Sequence, residues 1–207
     1  MTQGGYGLMS NQQTSVRPKI LAFAGSTRTD SYNKKLVKIA LSGAESAGAE
    51  VTFADLRDFP MPLYDGDLEE REGLPENVRK FKALLLSHQG LLIASPEYNS
   101  SISGVLKNAI DWASRAENDD EPPLACFKGK ICSIMSASPG ALGGLRGLVT
   151  VRSILGNIGV IVLPDQVAVP KAHEAFTESG TMKESRQQAS VQALGANVAN
   201  LLLKLQD

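Results

Sequence analysis

Lys19-Ile20-Leu21-Ala22-Phe23-Ala24-Gly25-Ser26-Thr27-Arg28-Thr29-Asp30-Ser31-Tyr32-Asn33 is the stretch on which the fold turns. Ile20 to Ala24 is an unbroken apolar run, short enough for a strand and stopped at Gly25. The nine residues after it are polar and rich in hydroxyls. They lead into a segment, 30–47, that places Leu36, Ile39, Ala40 and Gly43 on one helical face and Lys34, Lys35 and Lys38 elsewhere. A wholly apolar strand, a polar turn and an amphipathic helix make the unit of a parallel sheet covered on both faces.

The same rhythm runs down the chain. Strands are expected at 50–56, 90–94, 130–137 and 160–163, with helices at 75–88, 103–115, 142–157 and 181–205. Two stretches, 55–74 and 118–129, are long for loops and carry prolines and acids, which suits rims or lids better than domain boundaries. The reading is one doubly wound α/β domain over 17–207. Residues 1–16 form an uncharged segment rich in Gln, Gly, Ser and Thr, expected to be a disordered polar tail. That segment lacks the basic and apolar regions of a secretory signal, and no apolar stretch is long enough for an integral membrane segment.

Composition narrows the function classes. Against 22 acidic residues stand 21 basic ones, a net charge of −1 that offers no footprint for nucleic acid. The two histidines and two cysteines show no metal-ligand spacing, and the cysteines read as free thiols of a cytoplasmic protein. An enzyme this poor in imidazoles and thiols is expected to borrow its chemistry.

Open parallel sheets bind ligands beyond the carboxyl ends of their strands, so the segments after strands one, three and four carry the functional reading. The first, residues 25–33, has neither G-x-G-x-x-G nor a Walker pattern. Its hydroxyls, its guanidinium at Arg28 and the following helix N-terminus suit a terminal phosphate; an ordinary N-cap by Ser31 or Asp30 is the plainer alternative. The second, Ser95-Pro96-Glu97-Tyr98-Asn99-Ser100-Ser101-Ile102-Ser103-Gly104, offers a stiff turn and a flat aromatic face for a planar ring, or simply caps a helix. The third, Ser136-Ala137-Ser138-Pro139-Gly140-Ala141-Leu142-Gly143-Gly144, has glycines that let backbone approach a ligand, or merely a flexible connection. A phosphate in the first and a flat heterocycle between the other two describe flavin mononucleotide (FMN).

These residues resemble a known family, the NAD(P)H-dependent FMN reductases of flavodoxin-like fold, which includes quinone, azo-dye and chromate reductases. The likeness rests on Gly25-Ser26-x-Arg28-x-x-Ser31-x-Asn33 and on Pro96-Glu97-Tyr98-Asn99. It continues in Gly104-x-Leu106-Lys107-Asn108-Ala109-Ile110-Asp111-Trp112, in Asp55-Leu56-Arg57-Asp58-Phe59-Pro60 and in the glycine-rich third loop, spanning roughly residues 19–170. The resemblance implies a three-layer sandwich whose five-stranded parallel sheet has the order 2-1-3-4-5. It assigns Ser26, Arg28, Ser31 and Asn33 to the FMN phosphate, and Pro96, Glu97, Tyr98 and Asn99 to the ring. Ser136, Ser138, Gly140, Gly143 and Gly144 fall to the pyrimidine edge and ribityl chain.

By the same resemblance NADPH or NADH is the reductant, hydride passes to the flavin and on to small-molecule electron acceptors in ping-pong fashion, and no catalytic side chain is required. A homodimer or homotetramer is expected, with the helix after Gly104 near the interface and Trp112 either there or in the core. Glu97 reads as a solvated or interface side chain, and His88 and His173 as structural or surface residues. The competing class is an electron-carrier flavodoxin, against which near-neutral charge counts, since carriers that dock by charge are strongly acidic.

Overall fold

The computed structural model describes residues 16–206, so the polar segment 1–16, save Val16, lies outside the described residues. Five parallel strands form the main sheet: β1 (Lys19–Ala24), β2 (Glu50–Ala54), β3 (Gly90–Ala94), β6 (Ile131–Ala137) and β7 (Ile161–Val169). Between β3 and β6 a hairpin of β4 (Glu97–Tyr98) and β5 (Ser101–Ile102) makes a small sheet of its own. The main order is β2-β1-β3-β6-β7, the expected 2-1-3-4-5 with the hairpin set aside. Ala24 is level with Ala94, and Ala94 with Met135, so β1 and β3 end together, β6 runs on to Ala137, and all three open their following loops on one edge.

Seven helices complete the layers: α1 (Tyr32–Ser46), α2 (Gly66–Glu72), α3 (Glu76–Ser87), α4 (Gly104–Ala113), α5 (Leu145–Asn157), α6 (Ala172–Ala175) and α7 (Ser185–Lys204). Side chains alternate across the pleat. Ile20, Ala22, Leu92 and Met135 meet α1 and α7 on one face, whereas Leu21, Phe23, Ile93 and Ile134 meet α3, α4 and α5 on the other. Continuously apolar strands are what two covered faces require.

Strand β7 and the segment 55–74 depart from the sequence expectation. Strand β7 runs to Val169, well past Pro164, because it is an edge strand and a missing N–H facing outward costs no ladder bond. The irregular stretch is held by Arg152, whose guanidinium donates to the carbonyls of Val162, Leu163 and Pro164 and to Gln166 Oε1. The long segment 55–74 holds a 3₁₀ turn and α2, and it is pinned at Pro62, whose carbonyl accepts from Asn108 Nδ2 and from Trp112 Nε1, each at 2.8 Å. Trp112 is accordingly fully buried and belongs to the core.

Candidate functional site

The loops after β1, β3 and β6 converge on one cleft of about 440 Å³. Ser26, Arg28, Ser31, Asn33, Pro96, Glu97, Tyr98 and Ser138 line it, joined by Tyr32, Ala137 and Pro139. Asn99, Ser136, Gly140, Gly143 and Gly144 do not reach its wall. Tyr32 stands inside the first motif, where its sequence position alone gives it no role. Its ring stacks on Phe176 with centroids 5.9 Å apart, which sets one side of the entrance.

The first loop leaves the start of α1 open. Ser31 occupies the N-cap position but makes no side-chain capping bond, and no first-turn residue is acidic. An α-helix exposes unpaired N–H groups there, at the positive end of its dipole. Ser26 and Ser31 are buried at its edge, whereas Arg28 is exposed and forms no ion pair among the described residues. Asp30, the one acid nearby, is engaged by Lys35 at 2.7 Å. Hydrogen bonding and attraction to Lys35 hold its carboxyl below the usual range. Two hydroxyls, a guanidinium and a helix terminus thus border the same cleft.

The opposite wall is the hairpin. Its two turn residues, Asn99 and Ser100, have φ of 52° and 65°, the left-handed pair that a tight two-residue turn demands. Tyr98 is exposed beside the cleft, and Pro96 is buried beneath it.

Residues 18–174 match the family model described as NADPH-dependent FMN reductase. The chain belongs to this family. It is 35% identical to an NAD(P)H-dependent FMN reductase of Pseudomonas aeruginosa over 175 residues, 84% of this chain and 89% of that protein. With a quinone reductase of Escherichia coli it shares 36% identity over 153 residues, 72% of this chain and 75% of the other. Among solved structures it is similar to the NAD(P)H:(acceptor) oxidoreductase FerB of Paracoccus denitrificans. That likeness has a TM-score of 0.74 and 28% identity, and it covers 90% of this chain and 98% of FerB. Membership makes the protein an FMN-dependent NAD(P)H oxidoreductase.

The geometry of this reductase revises several residue roles. Asn33 Nδ2 donates to the Ala137 carbonyl at 2.9 Å, and Ala137 N donates back to Asn33 Oδ1 at 3.0 Å. Its carboxamide therefore braces the first loop to the third, with Oδ1 and one N–H of Nδ2 engaged by the protein itself. Glu97, expected to be a solvated or interface side chain, is held within the chain itself, its side chain only 8% exposed. Its Oε2 accepts from Arg146 N and Gly147 N, and its Oε1 from the Arg146 guanidinium. Burial works to raise its pKa, but those donors outweigh it and hold the carboxyl below the ordinary value.

The glycines of the third loop serve the protein's own packing. Gly143 and Gly144 adopt φ of 62° and 91°. A Cβ on Gly143 would lie 2.6 Å from the Val169 carbonyl carbon, and one on Gly144 would lie 1.9 Å from Ser136 Oγ. Only glycine fits, because the loop folds down onto the ends of β6 and β7. Gly140 is exposed, and its N–H donates to Ser138 Oγ at 3.2 Å. Ser136 is fully buried beneath Gly144, its hydroxyl without a hydrogen-bond partner.

The remaining reactive types stand away from the cleft. His88 is buried between Leu84 and Thr52, and His173 pairs with its neighbour Glu174. Cys126 and Cys132 are free and buried; burial pushes the Cys126 thiol up to about 11 and Cys132 higher still. Neither is a nucleophile at neutral pH.

Proposed function

We propose that this reductase accepts hydride from NADPH or NADH and passes it to quinone-class acceptors, free flavin, azo dyes or metal oxyanions such as chromate, in ping-pong order at one cleft. The open N-terminus of α1 carries the reading, with Ser26, Ser31 and Arg28 gathered beside it. That donor set fits a doubly charged terminal phosphate and has no anion of its own to serve. The bound flavin supplies the hydride chemistry. The chain's own residues bind and orient: Ser26, Ser31 and Arg28 hold the phosphate, while Pro96 and Tyr98 shape the wall along which the ring lies. Neither histidine nor cysteine lines the cleft, in keeping with chemistry that asks for no protein acid or nucleophile.

A homodimer or homotetramer is part of the proposal. Tyr98, Leu142, Leu145 and Val149 are exposed apolar side chains on the hairpin, the third loop and α5, next to the cleft. The two unpaired thiols support a reducing, cytoplasmic compartment.

The test is an anaerobic spectral titration of the purified protein reconstituted with FMN. NADPH or NADH alone is expected to bleach the flavin absorbance, and a quinone is expected to restore it. Protein that rejects FMN overturns the proposal. A flavin-loaded protein inert to both nucleotides is instead an electron carrier.

A further inference from the structure

The hairpin of β4 and β5 forms one wall of the cleft, yet it hydrogen-bonds to no strand of the main sheet among the described residues. Something other than the sheet must set its angle. The first turn of α5 lies directly against it: a Cβ on Gly147 would fall 3.3 Å from Glu97 Cβ and 3.1 Å from the Ser101 carbonyl oxygen. Gly144, the N-cap of that helix, has no side chain to cap it. Glu97 fills the vacancy from 49 residues away, with bonds of 3.0 Å from Arg146 N and 3.2 Å from Gly147 N. Its other oxygen takes Arg146 Nε at 2.8 Å and Nη2 at 2.5 Å.

We propose that Glu97 is a positioning residue: its carboxylate clamps the 97–102 hairpin to the N-terminus of α5 and so sets the wall against which the flavin ring rests. The inference rests on the flavin reading above. Four bonds to one buried carboxylate fix both the distance and the rotation of the hairpin, which a greasy contact would leave free to slide. The clamp also sorts the helix termini at this edge of the sheet. Ser103 caps α4, accepting from Leu106 N at 3.2 Å, and Glu97 closes α5. Of α1, α4 and α5, only α1 has a terminus that no side chain caps, which leaves that terminus for the charged end of an anionic ligand.

The experiment titrates FMN into apoprotein by flavin fluorescence, alongside melts of the same apoproteins and visible circular dichroism of the loaded forms. Glu97→Ala should raise the FMN Kd by about tenfold or more, the scale of a lost charge-assisted bond, and alter the dichroic band of the bound ring. Glu97→Gln keeps an oxygen for the two backbone N–H groups and should recover most of that affinity. An E97A protein that melts lower but binds FMN as tightly as wild type, with the same dichroic band, has lost only a helix cap and overturns the proposal. Should E97A not fold, Glu97→Asp shortens the clamp by one methylene and must still weaken FMN by about threefold; unchanged binding there is equally fatal. Wild-type apoprotein that ignores FMN would bring down the flavin reading itself, a failure visible before any variant is made.

Discussion

Asn33, in the first turn of α1, and Ala137, the last residue of β6, lie 104 residues apart and exchange two hydrogen bonds of 2.9 and 3.0 Å. The pair ties the loop after the first strand to the loop after the fourth strand of the main sheet, closing the cleft from behind.

Replacing Asn33 by alanine leaves the Ala137 N–H and C=O buried without partners. Two such losses should cost roughly 2–4 kcal/mol of unfolding free energy. Urea unfolding of the apoprotein measures it. A variant as stable as wild type would mean the brace is dispensable and would return Asn33 to the candidates for direct phosphate contact.

Arg28 should behave in the opposite way. It is exposed and unpaired, so Arg28→Ala should leave apoprotein stability within about 0.5 kcal/mol of wild type. Its guanidinium is placed to meet a phosphate, and a lost charge-assisted bond of about 1.5–3 kcal/mol means FMN binding weaker by roughly 10- to 100-fold. Riboflavin, which has no phosphate, is the control and should bind both proteins alike. Equal losses for the two ligands would show that Arg28 acts on the ring or on the fold.

What the sequence disclosed and what it hid divide by chain distance. The first loop is legible because its hydroxyls, its guanidinium and the helix they precede are consecutive, and the physics of a helix terminus is local. The partners of Asn33 and Glu97 are 104 and 49 residues away, so nothing in either motif shows that both side chains hydrogen-bond to distant backbone. The glycine-rich sequence of the third loop suggests close approach of backbone to a ligand, whereas the contacts that exclude a side chain at Gly143 and Gly144 are within the protein. The neighbour that forbids a Cβ is Val169 or Ser136, a fact set by tertiary packing. The hairpin is hidden in the sequence because strands of two residues carry no periodicity, and the full length of β7 is hidden because proline marks a strand's end except on a sheet edge.

His88 should make the fold sensitive to mild acid. The ring is buried, with Nδ1 2.6 Å from the Leu84 carbonyl and Nε2 2.9 Å from Thr52 Oγ1, and the Lys130 ammonium donates to the His88 carbonyl oxygen. Burial lowers its pKa first; the Leu84 carbonyl opposes the shift, and the Lys130 charge adds to it. In the unfolded chain the same imidazole takes a proton near pH 6.5. Below that pH the unfolded state binds more protons than the native one, so stability falls as pH drops and is fully present only above it. The carboxylates held low in the native state, Glu97 and Glu121 among them, gain protons in the unfolded chain only near pH 4.5 and below, outside this window. The melting temperature of apoprotein should therefore fall by about 2–5 °C between pH 7.5 and pH 5.5. His88→Gln removes the titration and should flatten that dependence, even though its melting temperature at pH 7.5 is lower for the loss of packing. Parallel pH profiles for the two proteins would place the acid sensitivity elsewhere.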